Sequence, residues 1–83
     1  MADNENVRKY MKNELRGKRS ELKISQEKMA ERLGVSAREY SDLENGKRFC
    51  SAKSLILYAN ECDIHDKEKL FTDLGEILRQ SEE

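Results

Sequence analysis

Proline is missing from the chain altogether, histidine occurs once, cysteine twice and glycine four times. Without proline, and without a run of serine and glycine, nothing marks a linker. No repeat appears either, so 83 residues read as one domain. One histidine leaves no Ser/His/Asp set at useful spacing, and the scattered glycines form no phosphate-cradling loop. The expectation is a protein that is not an enzyme and carries no cofactor. Cys62 and His65 stand in a C-x-x-H spacing, but no second pair completes a zinc site, so no metal is expected. Both Cys50 and Cys62 read as small hydrophobes in a reducing compartment. No stretch approaches the length of a membrane span, and Met1-Ala-Asp-Asn-Glu-Asn lacks the apolar run of a signal peptide. The expectation is a cytoplasmic protein without a membrane partner. No segment carries the alternation of a strand.

Charged residues make up 40% of the chain and hydrophobic ones 36%. Leu, Ile, Val and Phe together number 17 of 83, close to the composition at which chains stop folding, but the net charge of -1 lacks the self-repulsion that usually accompanies disorder. That small net charge hides an asymmetry. Residues 1–53 carry 13 Lys/Arg against 9 Asp/Glu, and residues 54–83 carry 3 against 8. The isoelectric point near 5.9 is not the basic signature of a nucleic-acid binder, yet the first two-thirds can present a positive face with the acidic part turned away.

Periodicity predicts five helices, an all-α fold in which a disordered N-terminus (residues 1–5) precedes one domain over residues 6–80. The first helix runs from about Asn6 to Leu22 on the steps Val7, Met11, Leu15 and Leu22, a face that is apolar except at Lys18 and Arg19. Gly17 costs this helix about 1 kcal/mol relative to alanine, and nothing in the sequence explains it. A fourth helix, capped by Ser51, runs to Asn60 or Glu61 with Leu55, Ile56, Tyr58, Ala59 and Cys62 inward and Leu57 partly outside. Asp63-Ile64-His65-Asp66 interrupts the pattern, with Ile64 still packed. Asp63 or Asp66 caps a C-terminal helix over 67–80, on which Leu70, Phe71, Leu74, Ile77 and Leu78 make an amphipathic stripe. Part of that stripe closes the core; Leu57, Phe71, Leu74 and Leu78 are candidates for the interface of a homodimer.

Between these lies the most informative stretch, residues 25–46. Ser25 caps a short helix from Gln26 to Leu33 whose Met29, Ala30 and Leu33 share a face. Gly34 supplies the left-handed exit and Val35 plugs the turn. Ser36 opens a second helix over 37–44, Glu39 completes a capping box, Tyr40 and Leu43 point inward, and Asn45-Gly46 ends it. Ala30 is small where two steeply crossing helices must approach. The spacing of Gln26, Ala30, Gly34, Val35, Tyr40 and Leu43 follows the helix-turn-helix pattern; the plainer reading is a helical hairpin in a small bundle.

In a helix-turn-helix the second helix enters the major groove. Its outward residues here are Ala37, Arg38, Ser41 and Asp42, with Glu39 at the rim. Arg38 is suited to guanine O6 and N7, and Ala37 to a thymine methyl; Asp42 either accepts from cytosine N4 or repels phosphate. Gln26, in the first turn of its helix, is placed to hold a phosphate, and Ser25, Ser41, Asn45, Lys47 and Arg48 surround the same surface. For Lys47 and Arg48 the alternative is a solvated basic loop.

On Ile24-Ser-Gln-Glu-Lys-Met-Ala-Glu-Arg-Leu-Gly-Val-Ser36 and Leu43-Glu-Asn-Gly-Lys47, the chain resembles the lambda-repressor-like (Cro/repressor type) helix-turn-helix family from about Met11 to Ile64. The resemblance implies a compact five-helix fold and a protein of bacterial or phage type. It implies phosphate contacts at Gln26 and Asn45, base contacts at Ala37, Arg38 and Asp42, and a structural ion pair between Arg19 and Glu44. Lys23 departs from the family's usual glycine, and Tyr40 from its usual aliphatic residue. The function expected is a dimeric repressor binding double-stranded operator DNA with no small-molecule ligand. The alternative is an antitoxin- or antirepressor-type interaction module on the same fold.

Overall fold

Each of the five helices starts where a side chain takes up a free backbone N–H. In the computed structural model, which describes residues 4–81, Asn4 Oδ1 accepts from Asn6 N at 2.8 Å and begins α1 (Glu5–Leu22). Ser25 begins α2 (Gln26–Leu33), Ser36 begins α3 (Ala37–Glu44) and Ser51 begins α4 (Ala52–Ala59), each hydroxyl accepting from the N–H three residues on. Asp63 Oδ1 accepts from Asp66 N at 2.8 Å ahead of α5 (Ile64–Ser81). No strand occurs among the described residues, and the fold is all-α.

Two helix starts differ from the sequence reading, while α4 stops at Ala59, a residue or two early, and α5 runs one residue further, to Ser81. Asn4 and Glu5, assigned to a disordered end, are the cap and first residue of α1; residues 1–3 of that end lie outside the described residues. The last helix begins at Ile64, three residues before the predicted Lys67, because Asp63 rather than Asp66 is the cap.

The first three helices end alike. Lys23 N donates to Ser20 O and Ile24 N to Arg19 O; Gly34 N and Val35 N repeat the pair on Glu31 O and Ala30 O; Gly46 N and Lys47 N repeat it on Leu43 O and Asp42 O. This is the paired closure of a Schellman motif, and it needs a left-handed residue at its centre. Gly34 (φ 69°) and Gly46 (φ 74°) supply it freely, whereas Lys23 adopts φ 57° with a Cβ in place. The glycine that the resemblance leads one to expect is absent at this position, yet the turn makes the same hydrogen bonds as those after α2 and α3.

The core draws on every helix: Val7, Met11 and Leu15 from α1, Met29, Ala30 and Leu33 from α2, Tyr40 and Leu43 from α3, Tyr58 and Ala59 from α4, Leu70 and Leu74 from α5. Helix α3 packs on α1 and α2, α4 on α2, and α5 on α1. The Tyr58 hydroxyl donates to the Glu14 carbonyl at 3.1 Å and Tyr10 Oη to Asp73 Oδ2 at 2.7 Å, tying α1 to α4 and α5. Gly17 lines a groove of about 210 Å³ between α1 and α5; a methyl group there would meet nothing within 4 Å.

Three apolar residues lie elsewhere than the periodicity placed them. Ile56 is 59% exposed: Ser54 and Tyr58, buried residues of α4 two positions before and after it, each lie about 160° round the helix from it. Ser54 takes the inward place instead, bonded to the Ser51 cap. Ile64 is 77% exposed, since as the first residue of α5 it lies about 120° round the helix from Leu70. Leu74, a candidate for the dimer interface, is in the chain's own core, and Leu57 and Leu78 pack against it; of the four candidates only Phe71 is exposed.

Candidate nucleic-acid interface

The inner face of α3 fixes how this helix is presented. Glu44 is buried, and both its oxygens are taken. Arg19 Nε reaches Oε2 at 2.8 Å and Arg19 Nη2 reaches Oε1 at 3.0 Å, a two-pronged pair. Gln26 Nε2 donates to Oε1 at 2.9 Å, and the Tyr40 hydroxyl donates to Oε2. Arg19 Nη1 also reaches the Ile24 carbonyl at 3.2 Å. One carboxylate therefore joins α1, α2 and α3 and locks the linker between the first two. Burial alone would raise the Glu44 pKa, but the bonds from Arg19, Tyr40 and Gln26 outweigh it and hold the carboxyl down at about 2. The Tyr40 hydroxyl, whose burial in place of an aliphatic side chain needed a partner, finds one in Glu44 and is pushed up by burial and by that bond.

The outer face is differently made. Ala37 and Arg38 are exposed in the first turn of α3, and among the described residues Arg38 has no ion pair or side-chain hydrogen bond. Ser41 and Asp42, one turn on, are half-buried. Asp42 Oδ2 lies 3.8 Å from Arg48 Nε, and Glu39 Oε2 lies 4.0 Å from Arg48 Nη1. Arg48, predicted to hold phosphate, thus bridges the two acids on the outer face. Glu39 turns toward Arg48 while Ser36 caps its N–H, so only the serine half of the capping box forms.

The remaining phosphate candidates separate into two kinds. Ser25 and Lys47 are exposed, Ser25 capping α2 and Lys47 closing the turn after α3; Asn45, also exposed, gives its Nδ2 to Ser41 Oγ at 3.3 Å. Gln26 belongs to the inner network: its amide nitrogen is committed to Glu44, which no local spacing in the sequence could signal. Sequence reasoning also passed over α1. Arg8 Nε donates to the Gly46 carbonyl at 3.1 Å, and the first turns of α1 lie beside the loop that follows α3. Elsewhere, Cys62 donates to the Tyr58 carbonyl at 3.6 Å while His65 is exposed, and burial pushes the Cys50 thiol up to about 11. Neither cysteine is prepared as a thiolate.

No helix among the described residues is long and apolar enough to cross a membrane. Comparison with curated proteins and with solved structures gives no match. A family model described as a helix-turn-helix domain matches residues 13–76, which spans α2, the Gly34 turn, α3 and their supports in α1, α4 and α5. The chain belongs to the helix-turn-helix domain family, a family of DNA-binding domains, and its α2–α3 pair has the helix–turn–helix arrangement.

Proposed function

We propose that the protein is a sequence-specific transcriptional regulator that lays α3 in the major groove of double-stranded DNA. The observation that carries this reading is Arg38: an exposed guanidinium, unpaired among the described residues, in the first turn of a helix whose opposite face is locked to α1 and α2 through Glu44. A rigid mount and a free fork are what bidentate reading of guanine requires. Ala37 sits beside it for a thymine methyl. Asp42 completes the base-reading set once Arg48 turns to phosphate. Ser25, Ser41, Asn45 and Lys47 supply positioning contacts, and Gln26 contributes through the first turn of α2.

The regulator acts as a dimeric repressor on a two-fold operator, with recognition helices about 34 Å apart. Ile56, Ile64 and Phe71, exposed apolar side chains on α4 and α5, support self-association. Binding sites selected from random duplex DNA test the reading. A palindromic consensus bound more weakly as salt rises is the result expected. Salt-insensitive or absent DNA binding would favour a protein partner of antitoxin or antirepressor type. Sedimentation showing only monomer at every concentration would remove the dimer.

A further inference from the structure

We infer that the first two turns of α1 are part of the DNA-binding face, with Lys9 and Lys12 gripping phosphates that flank the segment read by α3. The inference rests on the DNA-binding reading above and adds a second element to it, outside the α2–α3 unit. Arg8 Nε donates to the Gly46 carbonyl at 3.1 Å across 38 residues of sequence. The Lys12 stem packs on the same glycine, its Cδ 3.5 Å from where a Cβ would sit. These contacts hold α1 beside the Asn45–Arg48 loop. A groove of about 180 Å³ runs between them, lined by Glu5, Arg8, Lys9, Lys12, Asn45 and Gly46.

Three cations and one carboxylate border this groove, and Lys47 follows directly in the loop. Among the described residues neither Lys9 nor Lys12 is in an ion pair, so no carboxylate there has to be given up for a phosphate. The left-handed φ of 74° at Gly46 closes α3 and favours glycine there, while the lysine stem lies at ordinary contact distance from it. The chain's overall acidity is thus compatible with DNA binding, because cations gather at this edge while the acidic excess lies in residues 54–83, with 8 Asp/Glu against 3 Lys/Arg.

The test measures binding of the full chain to its selected duplex and to random duplex over a range of salt, for Lys9→Gln, Lys12→Gln and the double variant. Removing one phosphate contact should lower the slope of log K against log salt by about 0.9. Both duplexes should lose affinity by the same factor, since phosphate contacts carry no sequence information. Lys12→Arg, which keeps the charge, should restore the slope if Lys12→Gln perturbs packing on Gly46. Lys67→Gln on α5 is the control and should leave the slope unchanged. A wild-type slope in the double variant, with salt-sensitive and specific binding intact, overturns this inference alone. Absence of salt-sensitive binding in the wild-type chain overturns it together with the function it rests on.

Discussion

Helix α3 carries three carboxylates within six residues, and its two faces treat them in opposite ways. Glu44 is 3% exposed and receives hydrogen bonds from Arg19, Gln26 and Tyr40. Glu39 and Asp42 share Arg48 at 4.0 and 3.8 Å in partly solvated surroundings. The inner carboxylate is a joint: its partners come from three helices, their geometry is fixed, and removing any one leaves a buried charge short of a bond. The outer pair is loose, and exposed pairs of this kind are worth about 0–1 kcal/mol. Opening it to let Arg48 meet a phosphate costs little. The same residue type therefore stabilises the mount on one face and adjusts charge on the other, and position round the helix decides which.

The strongest way to break this contrast is at the joint. Glu44→Ala should destabilise the fold by about 3–5 kcal/mol, because it strands the Arg19 guanidinium and the buried Tyr40 hydroxyl. Thermal unfolding reads it directly, and an unchanged melting temperature would remove the joint from the account. Acid tests the same group without mutation. The folded-state pKa is depressed from 4.5 to about 2, so the contribution of Glu44 is complete above pH 4.5 and is lost as pH falls toward 2. Glu44→Gln should flatten that acid limb of the stability profile. Glu39→Gln should leave it in place.

On the outer face the largest effect belongs to Arg38. Arg38→Ala should reduce discrimination at one base position by about 1–3 kcal/mol while leaving binding to random duplex nearly unchanged. The melting temperature should hold, since Arg38 has no partner among the described residues. A uniform loss of affinity across sequences would instead make Arg38 a phosphate contact.

Lys23 shows where the inner network constrains the backbone. The Arg19 guanidinium reaches past it to the Ile24 carbonyl, and Lys23 takes a left-handed conformation that the two equivalent turns give to glycine. Lys23→Gly should raise stability by about 0.5–1 kcal/mol through relief of that conformation, offset in part by the freer unfolded chain. A drop in stability would mean that the Lys23 side chain contributes more than its backbone costs.

The legible parts of this fold are those with a local chemical signature. Ser25, Gly34 and Ser36 put the ends of α2 and α3 where the structure has them, since a cap hydroxyl and a left-handed glycine act within three residues of their own position. Asp63 and Asp66 could each cap α5, and choosing between them moves its start by almost a turn. Ile56 defeats the periodicity because Leu55 and Leu57 on either side blur the angle that decides burial, and Ile64 because it stands between Asp63 and His65 at the very start of α5, ahead of the stripe. The bonds from Gln26 to Glu44 and from Arg8 to Gly46 join residues 18 and 38 apart; no spacing rule reaches that far. Arg19 and Glu44 are paired in the sequence only through the resemblance to known repressors. Among the residues proposed to read DNA, Arg38 can be named from its place in the first turn of α3, but the pairing of Arg48 with Asp42 and Glu39 depends on how the loop after Gly46 folds back.

The smallest effect separates the two faces most cleanly. Asp42→Asn removes one charge from the outer face and keeps the shape of the side chain. Stability should change by less than about 0.5 kcal/mol, because the pair it breaks is long and partly solvated. DNA affinity should rise modestly on random duplex, as Arg48 is released and one repulsion of phosphate disappears. At a selected site the sign depends on what Asp42 does there. If its carboxylate accepts from cytosine N4, the amide of the variant forfeits that preference and the gain is confined to random sequence; if it only repels phosphate, both duplexes gain together. Measuring both at one salt concentration distinguishes a base-reading residue from a charge that limits where the helix can lie.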